Sequence, residues 1–280
     1  MLGQARKLLS KIAQIWSLCG SATGMRYTLA VATRLPAILK RRDLQPADAA
    51  MSGSALLNFR GRNIVVPYSK VDRANTITGD GPTFAGIREI LGDEVYLRGF
   101  AQLGAIQTFV DLGANRGMVS TMAASGLGVP KVVSVEAQDP YSACFEVLAD
   151  ANDLTPDQRH RVVKFAGATD DDNTITVDGL CQQFGIEHID FLKCDIEGGE
   201  NAVVLGGAPA FWHRVRLVSM ELHPEADTRT DEIIATLIAD GFHVSVTDPE
   251  GHPIPTMQAT YLYASRDASD LALPISANPS

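Results

Sequence analysis

The sequence predicts an α/β fold: a seven-stranded, mostly parallel sheet with an antiparallel terminal hairpin, preceded by an N-terminal helical extension. Three observations predict it. From residue 106 onward, short apolar runs alternate with helical stretches, as parallel strands joined by crossover helices do. Glycine-bearing turns follow several of the runs. The last two runs are separated only by a short Pro/Gly loop, which suits a hairpin and is too short for a crossover.

The elements follow in order. Residues 4–19 set Leu8, Leu9, Ile12, Ile15, Trp16 and Cys19 at helical spacing, with Arg6, Lys7 and Lys11 on the other face. A second helical stretch spans 25–41, interrupted or restarted at Pro36. Residues 44–54 read as a linker, which sets an extension over 1–55 apart from a domain over 56–280 with its core at 84–265. Residues 56–68 (LLNFRGRNIVVPY) read as a strand pair around Arg60-Gly61, 75–83 (NTITGDGPT) as a Gly-rich loop and 84–104 as mostly helical. Strands are expected at 106–113, 131–136, 161–167, 189–195, 215–222, 242–248 and 259–265. Helices are expected at 117–125, 140–151, 177–185 closed by Gly185, 199–207 ending at Gly206-Gly207, and 229–240 closed by Gly241.

Charge is segregated. Eight of the 24 Lys and Arg residues lie in 1–42, which has no acidic residue, so all 33 acidic residues lie beyond it. An acidic body is a poor match for a nucleic-acid backbone, and no nucleic-acid partner is expected. The basic helical segment suggests peripheral contact with an anionic inner-membrane surface, or packing on the body or on a second subunit. No apolar run reaches the ~18 residues of a membrane span and no signal peptide is evident. Cys19, Cys144, Cys181 and Cys194 form no metal-type spacing. A cytoplasmic protein is the default expectation.

In an open α/β sheet the ligand binds at the carboxyl ends of the strands, near the reversal of strand order. The first strand of the repeat ends in VDLGANRG (110–117). Gly113 and Gly117 permit turns that a Cβ would block. The turn is not G-x-G-x-x-G, and a carboxylate at Asp111 would repel a pyrophosphate. It suits a cationic ligand such as S-adenosylmethionine. The second strand ends in Glu136, placed to accept both ribose hydroxyl hydrogens. The third ends in Gly167-Ala168-Thr169, small enough for an adenine ring to lie close. The fourth ends in Lys193-Cys194-Asp195-Ile196-Glu197, whose alternate charges would be costly if buried without a ligand, a metal or one another. The fifth brings Glu221 and His223 to one face, and a His beside carboxylates is a candidate general base.

These residues resemble the FkbM family of S-adenosylmethionine-dependent methyltransferases. The resemblance rests on VDLGANRG (110–117), VVSVEAQ (132–138), IDFLKCDIEGGE (189–200), the glycine pair 206–207 and SMELHP (219–224), and covers about 84–265. It implies a class I methyltransferase, Rossmann-like fold and methyl transfer to an oxygen of a sugar, polysaccharide or natural product. By motif, Asp111, Gly113, Asn115, Gly117, Glu136, Ala168 and Asp195 would bind cofactor. Asp195, Glu197, Glu221 and His223 would line the reaction centre, or hold magnesium or manganese. Two departures stand out: a short stretch between Ala168 and the helix near 178, where the family often has a strand pair, and Arg116 in place of an apolar residue. A non-catalytic module tethered by its basic helix, and a nucleotide-cofactor dehydrogenase, are the competing readings.

Overall fold

The computed structural model describes residues 2–206, 209–223 and 228–275. The chain divides into two compact units: Met1–Glu94 with Arg116–Gly128 and Pro140–Thr155, and Val95–Asn115 with Val129–Asp139 and Pro156–Ser280.

The first unit holds α1 (Leu2–Arg41), α2 (Gln45–Asp48), β1 (Ala55–Phe59), β2 (Arg62–Val66), α3 (Tyr68–Ala74), α4 (Thr83–Gly86), α5 (Met118–Thr121) and α6 (Tyr141–Ala151). The two expected N-terminal helices form one run broken at Gly20, whose φ of 72° is open to glycine. Beyond the break the Trp16 indole donates to Thr28 Oγ1 at 3.0 Å, so the chain doubles back on itself. The helix continues through Pro36. The expected linker contains α2, started by Pro46 in its first turn. β1 and β2 pair antiparallel across Arg60-Gly61, as expected. The 84–104 stretch is helical only to Gly92, where α4 widens into a π-helical turn over Ile87–Gly92.

The second unit is the sheet. Its strands are β3 (Thr108–Leu112), β4 (Lys131–Val135), β5 (Arg159–Val162), β8 (Ile189–Cys194), β9 (Val215–Glu221), β10 (His243–Thr247) and β11 (Tyr261–Ser265). They run in the order β10-β11-β9-β8-β3-β4-β5. The five strands from β9 to β5 are parallel, and β11 is antiparallel to both neighbours. Strand order reverses between β3 and β8, so the crevice lies beyond Leu112 and Cys194.

Both faces of the sheet are buried, which is why these strands read as near-continuous runs rather than alternations. On one face Val110, Val133, Leu192, Val218 and Leu262 pack with Leu180, Val204, Trp212 and Ile234, from α7 (Val177–Phe184), α8 (Glu200–Leu205), the 209–214 turn and α9 (Thr230–Ala239). On the other, Phe109 stacks on Phe191 at 4.8 Å, and Phe100 meets Phe191 and Tyr263 edge-on. That packing explains why residues 95–106 are not helical: they lie along the sheet, and a Cβ at Gly99 would meet the Tyr263 ring. α7 is capped by Thr176, which accepts from Gly179 N at 2.8 Å, and closed by Gly185 at φ 60°.

The expected strand over 161–167 is split. β5 ends at Val162, and β6 (Phe165–Ala166) pairs with β7 (Thr174–Ile175) in a separate two-residue ladder. Only β7 lies in the short stretch between Ala168 and the helix near 178, paired back to residues before Ala168. Gly206 closes α8; Gly207 and Pro224 of the quoted motifs lie outside the described residues.

Candidate active site

A buried ion pair lies where the strand order reverses. Register sets Asp111 of β3 beside Lys193 of β8, and both side chains are buried. Lys193 Nζ lies 3.2 Å from Asp111 Oδ1 and 3.7 Å from Asp195 Oδ2. It also donates to the carbonyls of Gly113 at 2.7 Å and Leu112 at 3.1 Å. Burial disfavours the ammonium, but the Asp111 and Asp195 carboxylates outweigh it and raise the Lys193 pKa. The Asp111 charge is thus met by Lys193 inside the protein, and the alternating charges of the β8 end meet one another.

The turn after β3 is locked to its neighbours. Gly113 has φ 77°, and a Cβ there would come within 1.7 Å of the Asp195 carbonyl oxygen. Gly113 N and Ala114 N both donate to Val135 O at 2.9 Å. Glu136, at the end of β4, accepts Asn115 N–H at 2.9 Å on one oxygen and Gln138 N–H at 2.8 Å on the other. Each carboxylate oxygen keeps a further lone pair, so Glu136 is oriented and still able to accept two ribose hydroxyls. Ala168 is half-buried beside α8, near Gly206. These donors and acceptors fit an adenosyl cofactor.

Gly117 and Arg116 belong to the first unit. Gly117 has φ 87°, and a Cβ on it would press into the Phe145 ring at 2.4 Å. Arg116 donates to Thr83 Oγ1, Asp80 Oδ2 and Gly81 O at 2.8–3.1 Å. Asp80 also accepts from Tyr141 and Asn75, both at 2.8 Å. The Gly-rich loop at 75–83 is therefore pinned by Arg116.

Beyond Cys194 the chain leaves the extended state. Glu197 takes φ 54° and its carboxylate is exposed. Asp195 is half-buried and faces β9. The Tyr96 hydroxyl donates to Asp195 Oδ2 at 2.7 Å and lies 3.4 Å from Glu221 Oε2. Burial, reinforced by Asp195, pushes the Glu221 carboxyl up to about 7. Burial and the same two carboxylates push the Tyr96 phenol well above its ordinary range, so it remains a donor.

His223 is buried, with Nδ1 2.9 Å from Oε1 of the fully buried Glu200. Its Nε2 lies 3.6 Å from both Asp195 Oδ1 and Glu197 Oε2. Burial opposes the imidazolium, but Glu200, Asp195 and Glu197 outweigh it and raise the His223 pKa. Asp195, Glu197 and His223 present ligand atoms within 4.8 Å of one another; Glu221 is not in that group. Tyr96 and Glu200 were not singled out from sequence. Glu200 sits at the end of the quoted IDFLKCDIEGGE motif, whereas Tyr96 lies in a stretch read as helix, with no motif to mark it.

Residues 145–244 match the methyltransferase FkbM domain. No curated protein matches the chain. Among solved structures, the chain is similar at 17% identity to the METTL16 MTase domain, covering 59% of this chain and 61% of that one, with a TM-score of 0.42. Methyltransferase FkbM from Methylobacillus flagellatus KT matches at 15% identity, 70% and 57% coverage and a TM-score of 0.42. Aeropyrum pernix fibrillarin, solved with natively bound S-adenosyl-L-methionine, matches at 13% identity, 76% and 94% coverage and a TM-score of 0.42. The chain spans less than two thirds of the first two. No helix among the described residues is long and apolar enough to cross a membrane. The matched residues lie across β5 to β9 and the helices between them, within a sheet whose strand order is that of the class I methyltransferase fold.

Proposed function

We propose that the chain methylates a hydroxyl oxygen of a sugar, polysaccharide or natural product. The observation that carries this reading is the Asp195–Tyr96–Glu221 cluster at the ends of β8 and β9. An alcohol must lose its proton as it attacks a methyl group, and this cluster offers a carboxylate whose pKa of about 7 suits that role. Bound S-adenosylmethionine would supply an electrophilic methyl group on sulfur. Attack by the acceptor oxygen on that carbon would displace the sulfur as a neutral thioether, and Glu221 would take the alcohol proton. Tyr96 holds the two carboxylates in register, and Asp195 lines the reaction centre. His223 is held between Glu200, Asp195 and Glu197, and its place beside the last two suits an electrostatic or a metal-ligating role.

Glu136 would hold the ribose, and the turn from Gly113 to Gly117 would shape the methionine end. The donor set of Asp195, Glu197 and His223 also fits magnesium or manganese. Glu200 on Nδ1 leaves Nε2 turned toward the carboxylates, the arrangement that orients a metal-bound histidine. An ion held there would lower the acceptor hydroxyl's pKa.

Calorimetric titration with S-adenosylhomocysteine, with and without magnesium, followed by transfer of a labelled methyl group to a panel of sugars and hydroxylated natural products, tests this. Micromolar binding and label in an acid-stable ether support it. Label found only on nitrogen or carboxylate acceptors overturns the hydroxyl reading, and failure to bind the cofactor product favours a non-catalytic module.

A further inference from the structure

The helix α1 has two apolar faces. Tyr27, Val31 and Ile38 are buried. On the opposite side, Ala22, Met25, Leu29, Ala32, Pro36 and Leu39 recur at alternating three- and four-residue steps, forming one stripe along the helix. All six are exposed, with Met25, Leu29 and Leu39 at 64%, 65% and 58%. Single exposed apolar residues are ordinary, but a continuous stripe marks an interaction surface.

Charge selects the partner. Lys40 and Arg41 lie in the last helical turn, and both are exposed, as are Arg34 and Arg42. No acidic residue occurs in 1–42. In a symmetric pair of α1 helices, these cations would face the same cations with no carboxylate from either segment to offset them. A layer of anionic headgroups complements them, while its acyl boundary accepts the apolar stripe. No helix among the described residues is long and apolar enough to span, so the helix lies in the interface plane. The acidic remainder of the chain is repelled by the same lipid, which confines the contact to this segment.

We infer that the exposed face of α1 from Ala22 to Leu39, with the cations at its end, docks the protein on an anionic membrane surface. Sedimentation of the full chain with phosphatidylcholine vesicles, and with vesicles containing about a third phosphatidylglycerol, tests this. Binding to the anionic vesicles should be at least tenfold tighter and should weaken in about 0.5 M salt. The triple variant Met25→Gln, Leu29→Gln, Leu39→Gln and the double variant Lys40→Glu, Arg41→Glu should each lose roughly tenfold or more in vesicle affinity, while keeping the circular dichroism and S-adenosylhomocysteine binding of the parent. Equal binding to both lipids, no binding, or undiminished binding by the double variant overturns the inference. So does a lipid-free dimer, seen by light scattering, that the triple variant dissociates; that result assigns the stripe to a second copy.

Discussion

The Tyr96 hydroxyl donates to Asp195 Oδ2 at 2.7 Å across 99 positions of sequence. This single bond ties a loop segment to the strand that carries the matched domain's acidic motif. Tyr96→Phe removes the donor and keeps the ring that packs edge-on against Tyr261. Turnover should fall roughly tenfold with S-adenosylhomocysteine affinity within about twofold. Steady-state kinetics and calorimetry separate the two.

Asp195→Asn keeps the shape and removes the charge beside Lys193, His223 and Tyr96. Turnover should fall by roughly two to four orders of magnitude. Full activity in a folded Asp195→Asn protein would remove Asp195 from the reaction centre.

Glu221 sets a pH dependence. Its carboxyl is raised from 4.5 to about 7, and the ionised form is the proposed base, so turnover should rise with pH through about 7. Stability has the opposite sign. A raised folded-state pKa favours the protonated protein, so this contribution is fully present below about 4.5 and is lost as pH rises through about 7. Glu221→Gln should therefore unfold at a higher temperature than the parent at alkaline pH, with little difference in mild acid, and should be nearly inactive. Thermal melts at several pH values check the first part, and methyl-transfer assays the second.

Lys193→Met strands Asp111 in the sheet. Removing one partner of a buried pair leaves an uncompensated charge, at a cost of about 3–5 kcal/mol. Urea unfolding should show that loss. The double variant Lys193→Met, Asp111→Leu should recover much of it, although cofactor binding would not return if the turn has moved.

Glu200→Gln weakens the charge on His223 Nδ1. The imidazole pKa should drop, as read by NMR titration of the ring. An unchanged titration would mean that Asp195 and Glu197 alone hold the proton.

The sheet was legible because its strands are buried on both faces, so that IQTFVDLG and IDFLKCD stand out as apolar runs closed by turns. Gly185 and Gly241 marked helix ends for the same local reason, a backbone that needs positive φ. The stretch 84–104 misread because its apolar residues serve long-range packing: Phe100 meets Phe191 and Tyr263, which no local periodicity announces. In the site, the extended-strand argument placed Lys193 and Asp195 together, as found. It failed at Glu197, where positive φ ends the alternation. Tyr96 and Glu200 act through partners distant in sequence, and pairing of that kind is visible only once the chain is folded.

The contact between Gly113 and Asp195 constrains how this site could change. The turn after β3 presses its bare Cα against the backbone of the acidic strand end, and Lys193 clasps the carbonyl of that same glycine. The two halves of the chemistry are mechanically one piece. New acceptors should therefore be won by drift at Arg98 and Tyr261, whose guanidinium and ring stack on each other. Laboratory selections for altered acceptors should accumulate changes there, and should leave Gly113 and Lys193 untouched.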